Sequence, residues 1–157
     1  MRADLTPDIF ALVKGTGEGF MPLNAFDQAL LNAGIGDTNL VRMSSIIPPR
    51  AQKVSDIELP PGALVPVAYG SITSSKSGQV ISAAIAVALP ENEDEPGVIM
   101  EHEDEAPLAD VQDTVYNMAI EAFKYRDRTP GKITTIGAEH IVEKHGAVFA
   151  GAVLWYR

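Results

Sequence analysis

Apolar residues cluster, alternate and recur at helical spacing along this chain, and the pattern divides it into strands and helices. Ile9-Phe10-Ala11-Leu12-Val13-Lys14 is a run of strand formers, and the glycine-rich Gly15-Thr16-Gly17-Glu18-Gly19 after it predicts a flexible turn. From about Asn24 to Ala33, the residues Phe26, Ala29, Leu30 and Ala33 recur at helical spacing. They predict a helix with Asn24 as N-cap, Asp27 in its first turn and Gly34 just past its end. Val41, Met43, Ile46 and Ile47 predict a strand entered from Gly36 and closed by Pro48-Pro49, which cannot extend a central ladder. Ser44 and Ser45 fall in the middle of it. Successive strand residues point to opposite faces, so both hydroxyls reach a polar face only if a bend or bulge intervenes.

Arg50 to Pro61 is polar and bounded by proline, and predicts a surface loop. Leu64 to Thr73 and Gln79 to Leu89 predict two strands joined by a hairpin-like turn around Ser74-Ser75-Lys76-Ser77-Gly78. In the second, Ile81, Ala83, Ile85, Val87 and Leu89 share one face, and Val80, Ser82, Ala84, Ala86 and Ala88 share the other. That second face is small and mostly apolar, which suits close packing by another layer or subunit. Glu91 to Glu95 is an acidic, solvated loop, and Gly97 to Glu103 a short strand that carries Glu101 out of an apolar run. Pro107 to Arg126 predicts the longest helix, with a stripe of Leu108, Val111, Val115, Met118, Ala119 and Ala122. Two last strands, about Ile133 to Val142 and Ala147 to Tyr156, meet at a tight turn at His145-Gly146. The order, strand, helix, four strands, helix, two strands, predicts a single α+β domain with sheets face to face and helices outside.

Composition narrows the chemistry. A chain of 157 residues, 46% apolar and 21% charged, has the makings of one globular domain. It contains no cysteine, so disulfides, thiol nucleophiles and thiolate metal sites are excluded, and a reducing cytoplasm suits it. The first residues lack the apolar run of a signal peptide, and Val80 to Leu89 is too short to cross a bilayer, so a soluble protein is expected. A net charge of −9 disfavours nucleic-acid and anionic-membrane partners and favours encounter with a small cation. Gly15 to Gly19 lacks the lysine and hydroxyl of a nucleotide P-loop. His102, His140 and His145 have acidic neighbours but no metal-motif spacing, and adjacent strand residues such as Glu101 and His102 point apart, so no metal site is expected.

The segments Pro22-Leu23-Asn24-Ala25-Phe26-Asp27, Leu31-Asn32-Ala33-Gly34-Ile35-Gly36, Asn39-Leu40, Ser44-Ser45-Ile46 and Pro48-Pro49 occur in an order and spacing that resembles the pyruvoyl-dependent arginine decarboxylases. Gly62-Ala63-Leu64-Val65-Pro66, Ala68-Tyr69-Gly70, Ile81-Ser82-Ala83-Ala84, Ile99-Met100-Glu101, Glu139-His140, Val142-Glu143-Lys144 and Leu154-Trp155-Tyr156 continue the likeness over nearly the whole chain. It implies a four-layer αββα sandwich and self-cleavage between Ser44 and Ser45, giving residues 1–44 (the β chain) and 45–157 (the α chain). In that chemistry the Ser45 hydroxyl attacks the Ser44 carbonyl, and elimination leaves a dehydroalanine that hydrolyses to a covalently bound pyruvoyl group and ammonia. The group replaces a pyridoxal cofactor and needs no metal, forming a Schiff base with L-arginine on the way to agmatine and carbon dioxide.

The resemblance also distributes roles. It makes Glu101 the proton donor, a task that burial would suit by raising its pKa; otherwise Glu101 reads as an ordinary strand-end acid. Asn39 would orient and polarise the group, against a simple role in a local turn. Asp27 would accept a fork of hydrogen bonds from the guanidinium, compatibly with a favourable charge in a helix first turn. A homotrimer with active sites between subunits is implied as well. Two other readings stay open: a pyruvoyl enzyme for a different amino acid, and a non-catalytic assembly module of the same fold. The differences from the family pattern lie in the amino terminus and the loops at Arg50 to Pro61, the Glu90s and Asp127 to Gly131, where pocket selectivity could change.

Overall fold

The computed structural model describes residues 5–157. In chain order it forms β1 (Ile9–Glu18), α1 (Pro22–Asn32), β2 (Asn39–Arg42), β3 (Ile46–Ile47), β4 (Gln52–Lys53) and β5 (Leu64–Ser74). β6 (Val80–Pro90), β7 (Gly97–Asp104), α2 (Leu108–Tyr125), β8 (Pro130–Ile141) and β9 (Gly146–Trp155) follow. One sheet has five strands in the order β2-β5-β9-β1-β4, the other four in the order β3-β7-β6-β8. β2 runs parallel to β5 and β4 to β1, and the remaining pairs are antiparallel. The result is a mixed α+β fold of two sheets and two helices.

The period-two pattern of β6 explains how these elements stack. Ile81, Ala83, Ile85 and Val87 meet Phe10, Ala68, Val148 and Leu154 of the other sheet, while Ala84, Ala86 and Ala88 turn to Val111, Val115, Ala119 and Phe123 of α2. Each small alanine lets the helix sit close, and each branched residue fills the space between sheets. Helix α1 covers the outer face of the five-stranded sheet through Ala25, Ala29 and Leu30, against Val65, Val67 and Phe149. Ser82, fully buried on the α2 side, donates to the carbonyl of Ala106 at 2.7 Å and so leaves no polar atom orphaned.

Several expectations need correction. Gly15 to Glu18 is the second half of β1 rather than a flexible turn, and its glycines answer to α1. A Cβ on Gly15 would lie 2.1 Å from the Ala29 carbonyl oxygen, and one on Gly17 2.8 Å from that of Ala25. Strand and helix backbones thus touch where the sequence looks merely loose. The α1 N-cap is Met21, not Asn24, because Pro22 already has the φ of a first helical position. Consequently no acid lies in the first turn, and Asp27 falls beyond it. The other end follows the sequence: Gly34 takes φ +83°, with Gly34 N–H bonded to Leu31 O and Ile35 N–H to Leu30 O.

The segment 50–61 contains a short strand, β4, whose two residues pair beside Ile9 and Phe10. The turn at 75–79 joins no hairpin, since β5 and β6 belong to different sheets and lie face to face. Both strands carry apolar residues on both faces, so each gains more from cover above and below than from the other's edge. Five residues bridge the ~10 Å between stacked sheets. At the corner between β8 and β9, Glu18 accepts the backbone N–H groups of Glu143 and Lys144, each at 2.7 Å, and faces His140 Nε2 at 3.2 Å. Burial opposes the charge on Glu18, but these partners outweigh it and hold its carboxyl below the ordinary glutamate value. Glu139 in turn receives the Leu108 N–H at 2.9 Å and so caps α2, whose own N-cap residue is Pro107.

The strand–helix contact gives a direct test. Gly15→Ala forces a methyl group into the Ala29 carbonyl, so urea unfolding should show a loss of about 2 kcal/mol or more. An unchanged midpoint would mean that α1 does not approach β1 this closely.

Candidate functional site

The serine pair lies where the chain leaves one sheet for the other. β2 ends at Arg42 on the edge of the five-stranded sheet, and β3 begins at Ile46 on the edge of the four-stranded sheet. Met43 N–H still bonds to Val67 O of β5 at 3.3 Å, whereas Ser45 O already accepts the Ile99 N–H of β7 at 2.8 Å. The expected single strand is therefore two strands with a bend at Ser45, which removes the conflict of two adjacent serines in one ladder. Ile46 N–H bonds back to the Ser44 carbonyl at 3.2 Å, closing a three-residue turn about Ser45. The bend needs no left-handed backbone. Among the described residues, the non-glycine positions with positive φ are Arg50 and Asp127.

β7 brings Glu101 to this bend. Glu101 pairs with Ile85 of β6, so its side chain shares the face that Ile99 turns toward the other sheet. Ser45 Oγ donates to the Glu101 carboxylate, 3.0 Å from Oε1 and 2.9 Å from Oε2. Burial raises the Glu101 pKa above the ordinary value; the Ser45 hydroxyl and the positive charge of Arg42 oppose the rise, and the charge of Glu103 adds to it. Arg42 donates from Nη2 to the Tyr69 carbonyl at 2.8 Å, with its guanidinium 4.5 Å from the centre of the Tyr69 ring. A hydroxyl, a carboxyl with raised proton affinity and a peptide carbonyl held by an N–H donor thus converge on one backbone bond. Such a set can move a proton off Ser45 and polarise the Ser44 carbonyl.

Not every predicted residue joins this group. Asn39 donates from Nδ2 to Gly62 O at 3.0 Å, fastening the turn before β5. Asp27 is exposed on α1 with no hydrogen bond or ion pair to another described residue. The histidines have separate surroundings: His140 faces Glu18, His145 Nδ1 lies 2.7 Å from Ser75 Oγ, and His102 is on β7 with its side chain on the face opposite Glu101. Arg42, Tyr69 and Glu103 escaped the sequence reading. A cation three residues before Ser45 in an acidic chain is the one signal for Arg42; Tyr69 lies in a segment of the family likeness, and Glu103 is an acid beside His102, but neither carries a role in the sequence.

Comparison with known proteins decides the family. The profile of pyruvoyl-dependent arginine decarboxylase (PvlArgDC) matches residues 9–156. This chain belongs to that family. It is 50% identical over 151 residues to the pyruvoyl-dependent arginine decarboxylase of Methanocaldococcus jannaschii, covering 96% of this chain and 92% of that one. It is similar to the protein of the same name from Methanococcus maripaludis strain C5, at 45% identity with the same coverage. The Pyrococcus abyssi protein of that name is 37% identical over 153 residues, 96% of both chains. The family takes its name from a pyruvoyl group, and membership implies a pyruvoyl cofactor.

The elevated proton affinity of Glu101 has a stability consequence. A carboxyl with a raised folded pKa contributes stability that is complete below the unfolded value and is lost as pH rises through the folded value. In a Ser45→Ala chain, which lacks the opposing hydroxyl, the effect should be larger. Urea unfolding of Ser45→Ala against Ser45→Ala/Glu101→Gln should show the Glu101 chain losing ground as pH rises above the ordinary glutamate value. A pH-independent difference would mean that burial does not perturb Glu101.

Proposed function

We propose that this protein cleaves itself between Ser44 and Ser45 into 1–44 and 45–157, forms its pyruvoyl group from Ser45 and converts L-arginine to agmatine and carbon dioxide. The observation that carries the reading is the Ser45 Oγ–Glu101 hydrogen bond at the crossing between sheets. The residues fit the group: a serine at a bend, its hydroxyl on a carboxyl, its preceding carbonyl held by the Ile46 N–H. Glu101 takes the hydroxyl proton as Ser45 Oγ adds to the Ser44 carbonyl carbon. The Ser44–Ser45 C–N bond breaks, the nitrogen is protonated, and an ester joins the two residues. Loss of the residue 45 α-proton with rupture of the Cβ–O bond releases a Ser44 carboxylate and leaves dehydroalanine. Water then replaces the nitrogen, which departs as ammonia.

The pyruvoyl group supplies a ketone that captures an amino acid through its amine and accepts the electrons released with carbon dioxide. Glu101 gives a proton to the substrate carbon, for which a carboxyl whose proton affinity is raised by burial is suited. Asn39 would hold and polarise the ketone, and Asp27 would bind the guanidinium end of the substrate. Because Asp27 and Asn39 make no bond to Ser45 or Glu101 within one protomer, we place the complete site between copies in a homotrimer. The exposed Phe20, Leu23, Val41 and Leu64 on or beside α1, β2 and β5 support an interface on the elements that carry Asp27 and Asn39. The packing order α1, five-stranded sheet, four-stranded sheet, α2 supports the αββα sandwich. Among the described residues no helix is long and apolar enough to cross a membrane, and together with the lack of cysteine this fits a cytoplasmic enzyme.

Denaturing mass spectrometry should find fragments 1–44 and 45–157, the latter refractory to amino-terminal sequencing. Ser45→Ala should stay intact and Ser44→Ala should still cleave. Glu101→Gln should slow cleavage and lower turnover of the cleaved fraction by roughly 10²- to 10⁴-fold. A fully active uncut chain would end the proposal.

Substrate choice rests on Asp27. Carbon dioxide release from arginine, lysine and ornithine should show a strong preference for arginine that Asp27→Asn reduces through kcat/KM for arginine, since a shorter amine leaves the carboxylate poorly paired. Equal rates on all three would favour a pyruvoyl enzyme of other specificity.

A further inference from the structure

We propose that Glu103 is a positioning residue for the reaction, acting through Glu101 to keep a proton on that carboxyl, with Arg42 as its counterweight. The inference rests on the reading of Glu101 as proton donor. Glu101 and Glu103 are alternate residues of β7, opposite Ile85 and Ala83 of β6, and both of those belong to the core between the sheets. The two acids therefore share one face, roughly 7 Å apart along the strand, Glu101 half-buried and Glu103 exposed at its solvent end. Gly70 of β5 leaves room for Glu103: a Cβ there would lie 3.0 Å from its Oε2 and 3.3 Å from the His102 carbonyl. β5 thus presents bare backbone beneath the carboxylate end of the Glu103 side chain.

Arg42 is held short of an ion pair. Its guanidinium is engaged by the Tyr69 carbonyl and ring, so it reaches Glu101 through space rather than by a hydrogen bond. A direct salt bridge would fix Glu101 as a carboxylate and disable it as a proton donor. The groups that face Glu101 are few. β7 itself contributes Glu103, β2 contributes Arg42, the bend contributes Ser45 before its hydroxyl is consumed in cleavage, and β6 offers the apolar Ile85. His102 is turned to the other face of β7. Cleavage adds a Ser44 carboxylate, common to every cleaved variant.

Cleaved wild type, Glu103→Gln, Glu103→Asp and Arg42→Gln are compared by two measurements. Titration of the ¹³C-labelled Glu101 carboxyl, assigned by its loss in Glu101→Gln, reads the proton directly, and the pH dependence of kcat reads its use. With a protonated donor, activity falls on the alkaline side as Glu101 ionises. Glu103→Gln should move both the Glu101 titration and the alkaline limb down by about half a pH unit, and Arg42→Gln should move both up by a similar amount. Glu103→Asp, which keeps the charge, should stay near wild type. An unmoved Glu101 signal in both neutralising variants overturns the proposal and leaves the proton-donor reading intact. A signal that moves while the limb does not overturns the proton-donor reading and, with it, any part for Glu103 in the reaction.

Discussion

The peptide bond between Ser44 and Ser45 belongs to neither sheet, and much of the site depends on that constraint. Residues before it are bonded to β5 and residues after it to β7, so the chain has to change partners within three residues. A peptide inside a ladder would have its N–H and C=O fixed between neighbours and its serine side chain perpendicular to the sheet. Released from both ladders, the backbone can turn back on itself about Ser45, and the hydroxyl can reach a carboxyl on the facing sheet. The β2 and β3 anchors also mean that breaking this bond frees neither end. Each side keeps its own hydrogen bonds and its own apolar anchor, Leu40 against the α1 core on one side and the fully buried Ile47 between the sheets on the other.

Glu101 serves that bend because of where β7 runs. A carboxyl on the inner face of a sheet loses much of its hydration, and nothing at this position restores it with a direct cation. The same protein shows the contrary case in Glu18, which meets two backbone N–H groups and a histidine and remains a stable anion holding the β8–β9 corner. The two acids have the same side chain but different partners. Hydrogen bonds from donors that cannot leave make Glu18 structural, whereas a single hydroxyl and a distant guanidinium leave Glu101 able to gain and lose a proton.

Much of the fold was legible because its strands and α2 follow simple periods. The two faces of β6, the stripe of α2 and the turn at Gly34 were read from spacing alone, since burial on a fixed face leaves a periodic trace. What stayed hidden depends on contacts distant in sequence. Gly15 and Gly17 look like loop residues unless the backbone of α1 is known to lie against them, and β5 and β6 look like a hairpin unless their outer neighbours are known. The serines announced a break in the strand but not that its halves join different sheets. Ser45 and Glu101, named through the family likeness, do meet; Asn39 and Asp27 occupy a turn and an open helix face, where one protomer gives them no common target.

The charge balance of the site also bears on how an amine product leaves. Decarboxylation of an amino acid removes its carboxylate and keeps its amine, so the ligand gains one unit of positive charge. Around the reacting bond, Arg42 and Glu103 offset one another, and the net charge of their neighbourhood is set by Glu101. On the proposed role of Glu101, giving its proton to carbon leaves an extra anion facing a more cationic ligand, which holds the product more tightly than the substrate. Reprotonation from solvent returns Glu101 to the neutral state that its burial favours. On that proposal a raised proton affinity acts twice, first by favouring a proton available for transfer and then by favouring its return, which weakens the attraction holding the product.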